Sequence, residues 1–520
     1  MMEVNDLRSS IELLKQMEHQ LVETDIEVDP EAELAGVYRH VGAGGTVMRP
    51  TTVNGPAMLF HNIKGHKDAR VLIGLLASRE RVAALLGCRK EGLGKLLCDA
   101  ALHPIEPIVT DKKASCQEVI HRATDADFDL YQLIPAPTNT PVDEGPYITM
   151  GMCYATHPDT GLSDVTIHRM CIQSKDELSI FLQPGSRHIG AMAERATELN
   201  EPLPISVSIG VDPAIEVGSC FEPPTTPLGY NELSIAGALR KKPVELTPCV
   251  SIKENAIANA EYVIEGEIQP GVKVIEDQNT HTGYAMPEFP GYNGAASHEC
   301  WLIKVTAVTH RKNPIMQTCI GLSEEHVSMA GIPTEASIYV MVEKAMPGRL
   351  KNVYCASAGG GKYMAVLQFQ KLSPSDEGRQ RQAALRGQCR SAHEGIAQQQ
   401  KLRQHEQHEK HRDERPDAHE PAHAGHRAGR DARADEQAGG DEHRAGCDDG
   451  REGEVQRRDH GLARALIGAR LGIVRGDDDR IVHVAAHLNG AGHEIDHEEH
   501  ILAREHRDAE VDPDAALDDQ

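Results

Sequence analysis

The stretch Ser163-Asp-Val-Thr-Ile-His-Arg-Met170 decides the fold. It has the pattern of a β-strand and lies near the middle of the N-terminal three-quarters of the chain. Apolar and polar residues alternate along it, so Asp164, Thr166 and His168 share one face. Charged side chains are rarely buried in a strand unless they are paired or bind a metal. The stretch is therefore either a solvent-exposed edge strand or a strand that lines a functional site.

Outward from this stretch, residues 116–320 have the pattern of a mostly β domain. Pro- and Gly-rich turns such as Phe221-Glu-Pro-Pro-Thr-Thr-Pro227 separate further strand-like segments, which are Ile205–Ile209, Tyr262–Ile268 and Ile303–Val308. Many short strands with frequent turns predict a barrel or a sandwich. A closed barrel has no exposed edges and offers a cleft for a planar ligand.

Residues 1–115 have the pattern of an α/β domain. Asp6 is a candidate N-cap for a helix whose apolar face comprises Leu7, Ile11, Leu14 and Leu21. Two short buried strands and a second capped helix are predicted to follow, namely Met58–Phe60, Val71–Ile73 and the helix that Ser78 caps and Gly87 ends.

The charge and composition of the chain argue against several classes of partner. The net charge of −25 over 520 residues is unfavourable for binding nucleic acid or an anionic membrane. No apolar run is long enough to span a bilayer, and Met1–Gln20 does not have the pattern of a signal peptide. The 12 cysteines include no CxxC pair, so neither a disulfide framework nor a zinc ribbon is indicated. We expect a reducing, cytoplasmic setting.

Residues 386–520 differ in composition from the rest of the chain. The last Phe, Tyr or Trp is Phe369, and the tail is rich in Arg, His, Asp, Ala, Gly and Gln. A folded core normally draws on aromatic and branched apolar side chains. We therefore divide the chain into an N-terminal domain (1–115), a central domain (116–320), the start of a C-terminal α/β domain (321–385) and an atypical tail (386–520).

Several blocks of sequence, in order, resemble those of the UbiD-type decarboxylases, which use prenylated FMN. The resemblance extends from Asn5 to about Leu385 and looks closest to the catalytic C subunits of gallate, protocatechuate and 4-hydroxybenzoate decarboxylases. The blocks are Glu33-Leu-Ala-Gly-Val-Tyr-Arg-His40, Gly42-Ala-Gly-Gly-Thr46, Pro135-Ala-Pro-Thr-Asn-Thr-Pro141, Asp164–Met170, Tyr230-Asn-Glu-Leu233, Ala285-Met-Pro-Glu-Phe-Pro-Gly-Tyr292, Glu324–Gly331 and Ala358-Gly-Gly-Gly-Lys362. Together they form a specific signal, which a single block would not.

The resemblance implies an α+β fold with a central split β-barrel of the flavin-reductase type, flanked by α/β segments. It also implies prenylated FMN beside a divalent metal, usually manganese, with a potassium ion nearby. Asp164, His188 and Glu232 stand at the positions of the family's metal ligands, and such oxygen ligands with one imidazole suit manganese or magnesium. The implied cofactor contacts are Thr166, Ile167, His168, Arg169, Ser186, Arg187 and His188.

The resemblance assigns catalytic roles to Arg169 and Glu288. Decarboxylation leaves an electron pair on carbon, so it needs an electron sink, which the cofactor supplies, and then a proton. An arginine can hold and orient the substrate carboxylate. A partly desolvated glutamate has a raised pKa and can deliver the proton near neutral pH. The alternative is that Glu288 is a turn-capping acid between Pro287 and Pro290.

Three more residues match the substrate pocket of the family members that act on phenolic acids. His326 could accept a phenol proton, and Lys362 could hold a phenolate or a carboxylate. Arg187 would contact the cofactor or the substrate. The alternatives are a helix-capping His326 and a Lys362 that stays solvated in its glycine loop.

One position departs from many family members. Those that act on acrylic acids carry a second glutamate five residues before the proton donor, where this chain has Gly283. The aromatic-acid members share that absence, which favours a hydroxybenzoate such as gallate or protocatechuate as the substrate. The implied reaction is non-oxidative decarboxylation to the phenol and carbon dioxide. The same site would serve the reverse carboxylation, so the direction stays open.

The tail affects the functional prediction, because relatives have a further α/β segment after the point that corresponds to Leu385. That segment closes over the cofactor phosphate and carries an oligomer-forming helix. The tail could instead bind metal, bind RNA or be a disordered extension, but we favour an out-of-frame translation of a GC-rich gene. The alternative function is a non-catalytic, truncated family member that is unable to hold the cofactor. The implied partners are a flavin prenyltransferase, small accessory subunits and, with an intact C-terminal part, further copies of the chain.

Overall fold

The computed structural model describes residues 3–43, 55–182, 188–288, 292–321, 323–372, 470–475 and 481–487. The chain divides into two compact units, of which one comprises Met1–Gln398 with Leu471–Ala486 and the other comprises Gln399–Arg470 with His487–Gln520. Apart from Arg470 and His487, every residue described below belongs to the first unit. Ser186, Arg187 and most of the tail lie outside the described residues.

The described residues form nine α-helices and twenty β-strands. The helices are α1 (Leu7–Leu14), α2 (Glu33–Val41), α3 (Arg79–Leu85), α4 (Leu93–Leu102), α5 (Leu130–Leu133), α6 (His188–Leu199), α7 (Pro213–Gly218), α8 (Leu233–Arg240) and α9 (Glu324–Ala345). The strands are β1 (Leu21–Thr24), β2 (Ala57–Phe60), β3 (Arg70–Ile73), β4 (Ile108–Val109), β5 (Val119–Arg122), β6 (Tyr147–Thr156), β7 (Ser163–Ser174), β8 (Glu177–Ile180), β9 (Leu203–Ile209), β10 (Glu245–Pro248), β11 (Asn255–Ile257), β12 (Tyr262–Val274), β13 (Tyr284–Pro287), β14 (Asn293–Ala295), β15 (Cys300–His310), β16 (Ile315–Thr318), β17 (Leu350–Cys355), β18 (Met364–Gln370), β19 (Arg470–Arg475) and β20 (Ile481–His487).

A closed antiparallel barrel occupies the centre of the fold. Its strand order is β12-β9-β6-β7-β8-β15, and the pairing of β12 with β15 closes the ring. The structure confirms the predicted α+β fold and its barrel, whereas the flavin-reductase likeness stays a prediction. The edge-strand alternative for Ser163–Met170 is wrong, because β7 pairs with a neighbour on each side and buries Asp164 and His168.

The N-terminal segment forms the predicted helices and strands, with one correction. The Asp6 side chain caps α1 by accepting from the Ser9 backbone N–H, and Ser78 caps α3 in the same way. Leu21 does not continue the first helix. That helix ends at Leu14, the backbone turns at His19 with a φ of 58°, and Leu21 begins β1. The sheet order is β1-β2-β3-β16, so a strand from the end of the central segment joins the N-terminal sheet.

Two large apolar cores hold these elements together. One core joins α1, α3 and α4 to α8 and α9 through side chains that include Leu7, Val82, Leu97, Leu233 and Ile332. The other combines barrel residues with apolar residues of α2 and α6, and it includes Met170, Ile264, Ile303, Leu34 and Met192. Removing so much apolar surface from water is the main force that holds the barrel against its flanking helices.

The C-terminal part of the described chain begins with the long helix α9, whose N-cap is Ser323. The antiparallel strands β17 and β18 follow, and β20 and β19 extend their sheet. The remainder of the tail lies outside the described residues, so its out-of-frame origin stays a prediction. Among the described residues, no helix is both long and apolar enough to cross a membrane.

Candidate active site

Three side chains with metal-ligand chemistry meet in the structure although they are far apart in sequence. Asp164 lies on β7, His188 is the first residue of α6, and Glu232 directly precedes α8. One ligand atom from each lies within 4.8 Å of the other two. His188 Nδ1 is 3.0 Å from Asp164 Oδ1. The structure therefore brings together the three residues that the family resemblance assigned to the metal.

The electrostatics of this cluster fit a cation. Asp164 Oδ2 and Glu232 Oε2 are buried, and neither has a hydrogen-bond partner among the residues that the structure describes. Burial raises the pKa of Glu232 well above its ordinary value, and the negative charge of Asp164 raises it further. A divalent ion would bind the two unpartnered oxygens and neutralise the carboxylates. Two carboxylates and one imidazole suit Mn²⁺ or Mg²⁺ better than a metal that prefers sulfur.

Arg169 is the centre of a second network. Its Nε and Nη2 atoms donate to the two carboxylate oxygens of Glu276, each at 2.9 Å. Its Nη1 atom donates to Glu288 Oε1 at 2.7 Å. The guanidinium also lies over the ring of Phe181, with Cζ 4.6 Å from the ring centroid. The cation is thus fixed on two sides by charge-assisted hydrogen bonds and on its face by an aromatic ring.

Glu276 is itself held from three directions. Its side chain is 2% exposed, and its carboxylate accepts hydrogen bonds from the Tyr147 hydroxyl at 3.2 Å and from the Ser297 backbone N–H at 2.9 Å. Gln173 Nε2 donates to the Glu276 carbonyl oxygen. These contacts fix Glu276, which in turn fixes Arg169.

Glu288 makes one hydrogen bond to Arg169, whereas Glu276 makes two. It directly follows β13, and its side chain is 25% exposed. Burial raises the pKa of Glu288, and the charge of Glu276 adds to this increase, while the Arg169 guanidinium opposes it. The Glu288 carboxylate accepts from Arg169, and the Glu288 backbone N–H donates to the Tyr292 carbonyl oxygen.

Arg169 and Glu288 line a cavity of about 240 Å³ together with Ile167, His168 and His326. The remaining walls are mainly apolar or small, namely Thr149, Phe181, Met286, Cys319, Gly321 and Met329. A pocket with a few convergent polar groups among apolar walls is typical of a small-molecule site. Its one cation, one acid and two imidazoles suit an anionic ligand that also carries hydroxyl groups.

The ring of His326 has a defined hydrogen-bonding role. Its Nδ1 atom lies 3.0 Å from the Gly321 carbonyl oxygen, which can only accept a hydrogen bond, so Nδ1 carries the proton. Nε2 of the neutral ring is then an acceptor. Burial lowers the pKa of His326, and the nearby charge of Lys362 lowers it further, so the ring is neutral near pH 7. His326 is also the third residue of α9, and its backbone N–H donates to the hydroxyl of Ser323, the N-cap.

The structure places some of the other residues assigned by resemblance near the cavity and others outside its lining. Thr166 is buried, and its Oγ1 lies 2.8 Å from His168 Nε2. Among the described residues, Lys362 is not part of the cavity lining, and its Nζ atom lies 3.5 Å from Glu222 Oε1. The predicted contacts Ser186 and Arg187 lie outside the described residues.

The N-terminal and Rift-related domains of the 3-octaprenyl-4-hydroxybenzoate carboxy-lyase family, UbiD, match residues 11–101 and 108–323. The gallate decarboxylase of Lactiplantibacillus plantarum is 55% identical over 381 residues, which cover 73% of this chain and 78% of that protein. The chain belongs to the UbiD family. A phenolic acid decarboxylase of Sedimentibacter hydroxybenzoicus is 28% identical over 66% of the chain and 69% of its own length.

Solved UbiD-family structures share the fold. The apo 3,4-dihydroxybenzoic acid decarboxylase of Enterobacter cloacae is 55% identical, with a TM-score of 0.70 over 74% of this chain and 78% of the other. The UbiD-class enzyme HmfF of Pelotomaculum thermopropionicum, solved in complex with prFMN, is 33% identical, with a TM-score of 0.65 over 74% and 83%. These matches support the predicted family from both sequence and structure.

Within this UbiD-family fold, Glu276 is the residue that sequence reasoning missed. The prediction considered Gly283 as the position of a second glutamate and found none there. The structure shows a second glutamate beside Arg169, contributed by Glu276 just beyond the end of β12. An acid in Ile275-Glu-Asp277 has no distinctive spacing, so only its burial at 1% exposure and its partner reveal it. Gly283 by itself therefore discriminates less between a hydroxybenzoate and an acrylic acid as the substrate.

Proposed function

We propose that the protein decarboxylates a hydroxybenzoate of the gallate or protocatechuate class to the phenol and carbon dioxide, with prenylated FMN and a divalent metal. The observation that carries this proposal is the contact between Arg169 and Glu288 inside a cavity that also contains His326. The 55% identity to a gallate decarboxylase and to a 3,4-dihydroxybenzoic acid decarboxylase supports the substrate class. The same comparisons disfavour the alternative of a non-catalytic family member.

The cofactor's place follows from the residues that surround the cavity. When bound, prenylated FMN supplies the electron sink that carbon–carbon bond cleavage requires. Thr166, Ile167 and His168 of β7 would contact it, together with Ser186 and Arg187. Asp164, His188 and Glu232 would hold Mn²⁺, whose charge would neutralise the two carboxylates and favour the binding of the cofactor's phosphate nearby, with K⁺ as a second ion.

Arg169 would bind the substrate carboxylate through Nη1, which faces Glu288, because Glu276 holds Nε–H and one of the two N–H groups of Nη2. A substrate carboxylate that takes the Nη1 N–H now bonded to Glu288 would displace Glu288 from the guanidinium. Displacing Glu288 from Arg169 removes an interaction that opposes the increase in its pKa caused by burial, so substrate binding would favour the protonated form of Glu288. Glu288 delivers that proton to the ring carbon after carbon dioxide leaves.

His326 would recognise a phenol hydroxyl of the substrate. With Nδ1 protonated toward the Gly321 carbonyl, Nε2 of the neutral ring is the nitrogen that can accept a hydrogen bond. A site that hydrogen-bonds a substrate hydroxyl rejects analogues that lack it, because its own polar group would remain unpaired. His326 therefore favours hydroxybenzoates over benzoate, while Lys362 contributes a positive charge from outside the cavity lining.

The decisive experiment measures carbon dioxide release from gallate and protocatechuate. The protein is produced with a flavin prenyltransferase and supplied with Mn²⁺, and Glu288→Gln is assayed beside it. We expect turnover that Glu288→Gln abolishes while cofactor absorbance is retained, because an amide cannot donate the acidic proton. Bound cofactor without turnover on either acid would reject the proposed substrates. Absence of bound cofactor would support the truncated, non-catalytic alternative. In that case the size-exclusion profile would show whether copies of the chain still form an oligomer.

A further inference from the structure

Glu325 is next to His326 in α9, but its side chain contacts the N-terminal domain. Its Oε2 atom accepts the Gly74 backbone N–H at 2.8 Å, and its Oε1 atom accepts the Leu76 backbone N–H at 2.9 Å. Glu325 is fully buried. A single buried carboxylate therefore joins the first turn of α9 to the loop between β3 and α3.

Arg81 holds the same loop from its opposite side. Its Nε atom donates to the Leu75 carbonyl at 2.8 Å, and its Nη2 atom donates to the Gly74 carbonyl at 2.7 Å. Arg81 is also fully buried, and its Nη1 atom donates to Gln20 Oε1. The loop thus has a cation on its carbonyl side and an anion on its amide side. This polarised arrangement fixes the backbone more firmly than apolar packing alone would.

The first turn of α9 connects this buried contact to the cavity. The Ser323 hydroxyl accepts the backbone N–H of His326, and the Gly321 carbonyl accepts from its ring. Strand β16, which precedes Gly321, pairs with β3, which precedes the loop, and Thr318 lies opposite Ile73. The loop and the His326 turn are therefore parts of one continuous assembly, in which Glu325 supplies the side-chain link.

We propose that Glu325 is a positioning residue: by accepting the Gly74 and Leu76 N–H groups, its carboxylate fixes the first turn of α9 and directs the His326 ring into the cavity. The importance of that ring for substrate recognition rests on the proposed function. The positioning itself does not, because the orientation and protonation of His326 are measurable without turnover.

The charge of Glu325 sets the strength of this link. Burial raises the pKa of Glu325 to about 7, although the Leu76 and Gly74 N–H groups and Arg81 oppose the increase. The other titratable groups that act on it are Tyr38 of α2, Cys319 after β16 and Glu216 of α7. The ionised form accepts both N–H groups with charge-assisted bonds, whereas protonation weakens one of them.

The test compares Glu325→Gln with Glu324→Gln in the full-length protein. Glu324 is the matched control, because it is adjacent, acidic and in the same turn, and its carboxylate contacts the Ser357 hydroxyl instead of the loop. In Glu325→Gln, the NH₂ group of the new amide would face one of the two backbone N–H groups, and two donors cannot form a hydrogen bond with each other. We expect hydrogen exchange in peptides covering residues 70–78 to accelerate about tenfold, which is the loss of one charge-assisted hydrogen bond. Glu324→Gln should leave that exchange unchanged.

The second readout follows His326 by ¹⁵N NMR with labelled histidine, and His326→Gln identifies the signal. We expect the Nε2 signal of the wild type to titrate once below pH 6.5, from the ring itself, and to shift again near pH 7 as Glu325 ionises. Glu325→Gln should remove the second step and Glu324→Gln should retain it. The wild-type titration needs no variant to fold.

Three outcomes would overturn the proposal. Loop exchange in Glu325→Gln that equals that of the wild type is the first. Faster loop exchange in Glu325→Gln with an unchanged His326 signal would assign Glu325 a merely structural role. Equal effects of both variants would point to the general charge of the helix N-terminus. If the protein has no decarboxylase activity but still shows the faster loop exchange and the change in the His326 signal, the proposed function is rejected and the positioning role of Glu325 stands.

Discussion

The guanidinium of Arg169 donates a 2.7 Å hydrogen bond to the carboxylate of Glu288, although 119 positions separate the two residues in the chain. Arg169 belongs to the central barrel strand β7, and Glu288 directly follows β13. The group that would bind the substrate carboxylate and the group that would protonate the product thus share one contact. In the proposed function, this single hydrogen bond would couple substrate binding to proton delivery.

Replacing Glu276 with Gln should lower kcat/KM about 10- to 100-fold. The bidentate contact that orients Arg169 would lose its charge, and a hydrogen bond to a charged group is worth about 1.5–3 kcal/mol. Steady-state kinetics on gallate check this expectation. Glu299→Gln removes an exposed carboxylate from the same region and serves as the control. Wild-type kinetics for Glu276→Gln would show that Glu288 and Phe181 suffice to hold the arginine.

The rate should fall on the alkaline side of the pH profile. Burial and the charge of Glu276 raise the pKa of Glu288 above 4.5, so its acidic form persists to higher pH than that of an exposed glutamate. Because the proton donor acts in this form, kcat declines as pH rises through the raised pKa. Measurement of kcat at saturating substrate between pH 4.5 and 9 tests this sign. A kcat that increases through that range would exclude Glu288 as the acid.

Gly321→Ala should reduce kcat at least tenfold. A Cβ atom at Gly321 would clash with the Pro287 carbonyl oxygen and lie 3.3 Å from Glu288 Cα, so the segments that carry His326 and Glu288 would move apart. Small displacements of reacting groups have large kinetic effects. Gly36→Ala is the control, since no atom of the described residues lies within 4 Å of its added carbon. Comparable activity of both variants would show that the backbone adjusts without harm to the site.

Mn²⁺ should stabilise the protein through Asp164, His188 and Glu232. At a free concentration 100 times the dissociation constant, ligand binding adds about 2.7 kcal/mol to the free energy of unfolding. Thermal unfolding after treatment with a chelator, with and without added Mn²⁺, measures the effect. Glu232→Gln should remove most of the Mn²⁺-dependent shift, whereas Glu254→Gln, another buried acid, should keep it. A shift that survives Glu232→Gln would place the ion elsewhere.

The contribution of Glu325 to the free energy of unfolding should decrease as the pH rises. Its pKa rises from 4.5 to about 7 on folding, so the folded state binds the proton more tightly. The resulting stabilisation is fully present below pH 4.5 and is lost as pH rises through about 7, in total about 3 kcal/mol. Urea unfolding of the wild type and Glu325→Gln between pH 4.5 and 8 measures the difference in slope. Parallel curves would show that Glu325 does not change its protonation in this range.

Local chemistry made much of the fold predictable. Asp6 and Ser78 cap helices because a side-chain oxygen next to an apolar helical pattern satisfies free N–H groups wherever it occurs. Ile205–Ile209 and Tyr262–Ile268 form strands because alternation is a property of each segment. Leu21 was misassigned because helical spacing continued past the point where the chain turns at His19. Such boundaries depend on contacts that lie outside the segment.

The sequence by itself determined the family, since Asp164, Arg169, Glu232, Glu288 and His326 stand in recognisable blocks of residues. Only the tertiary structure decided which of them meet. Barrel closure and strand register bring Asp164 to His188 and Glu232, and they bring Arg169 to Glu288. The roles of Glu276, Gly321 and Glu325 depend on partners up to 251 positions away. No local pattern encodes such contacts, because pairing, burial and charge proximity arise only after the segments pack together.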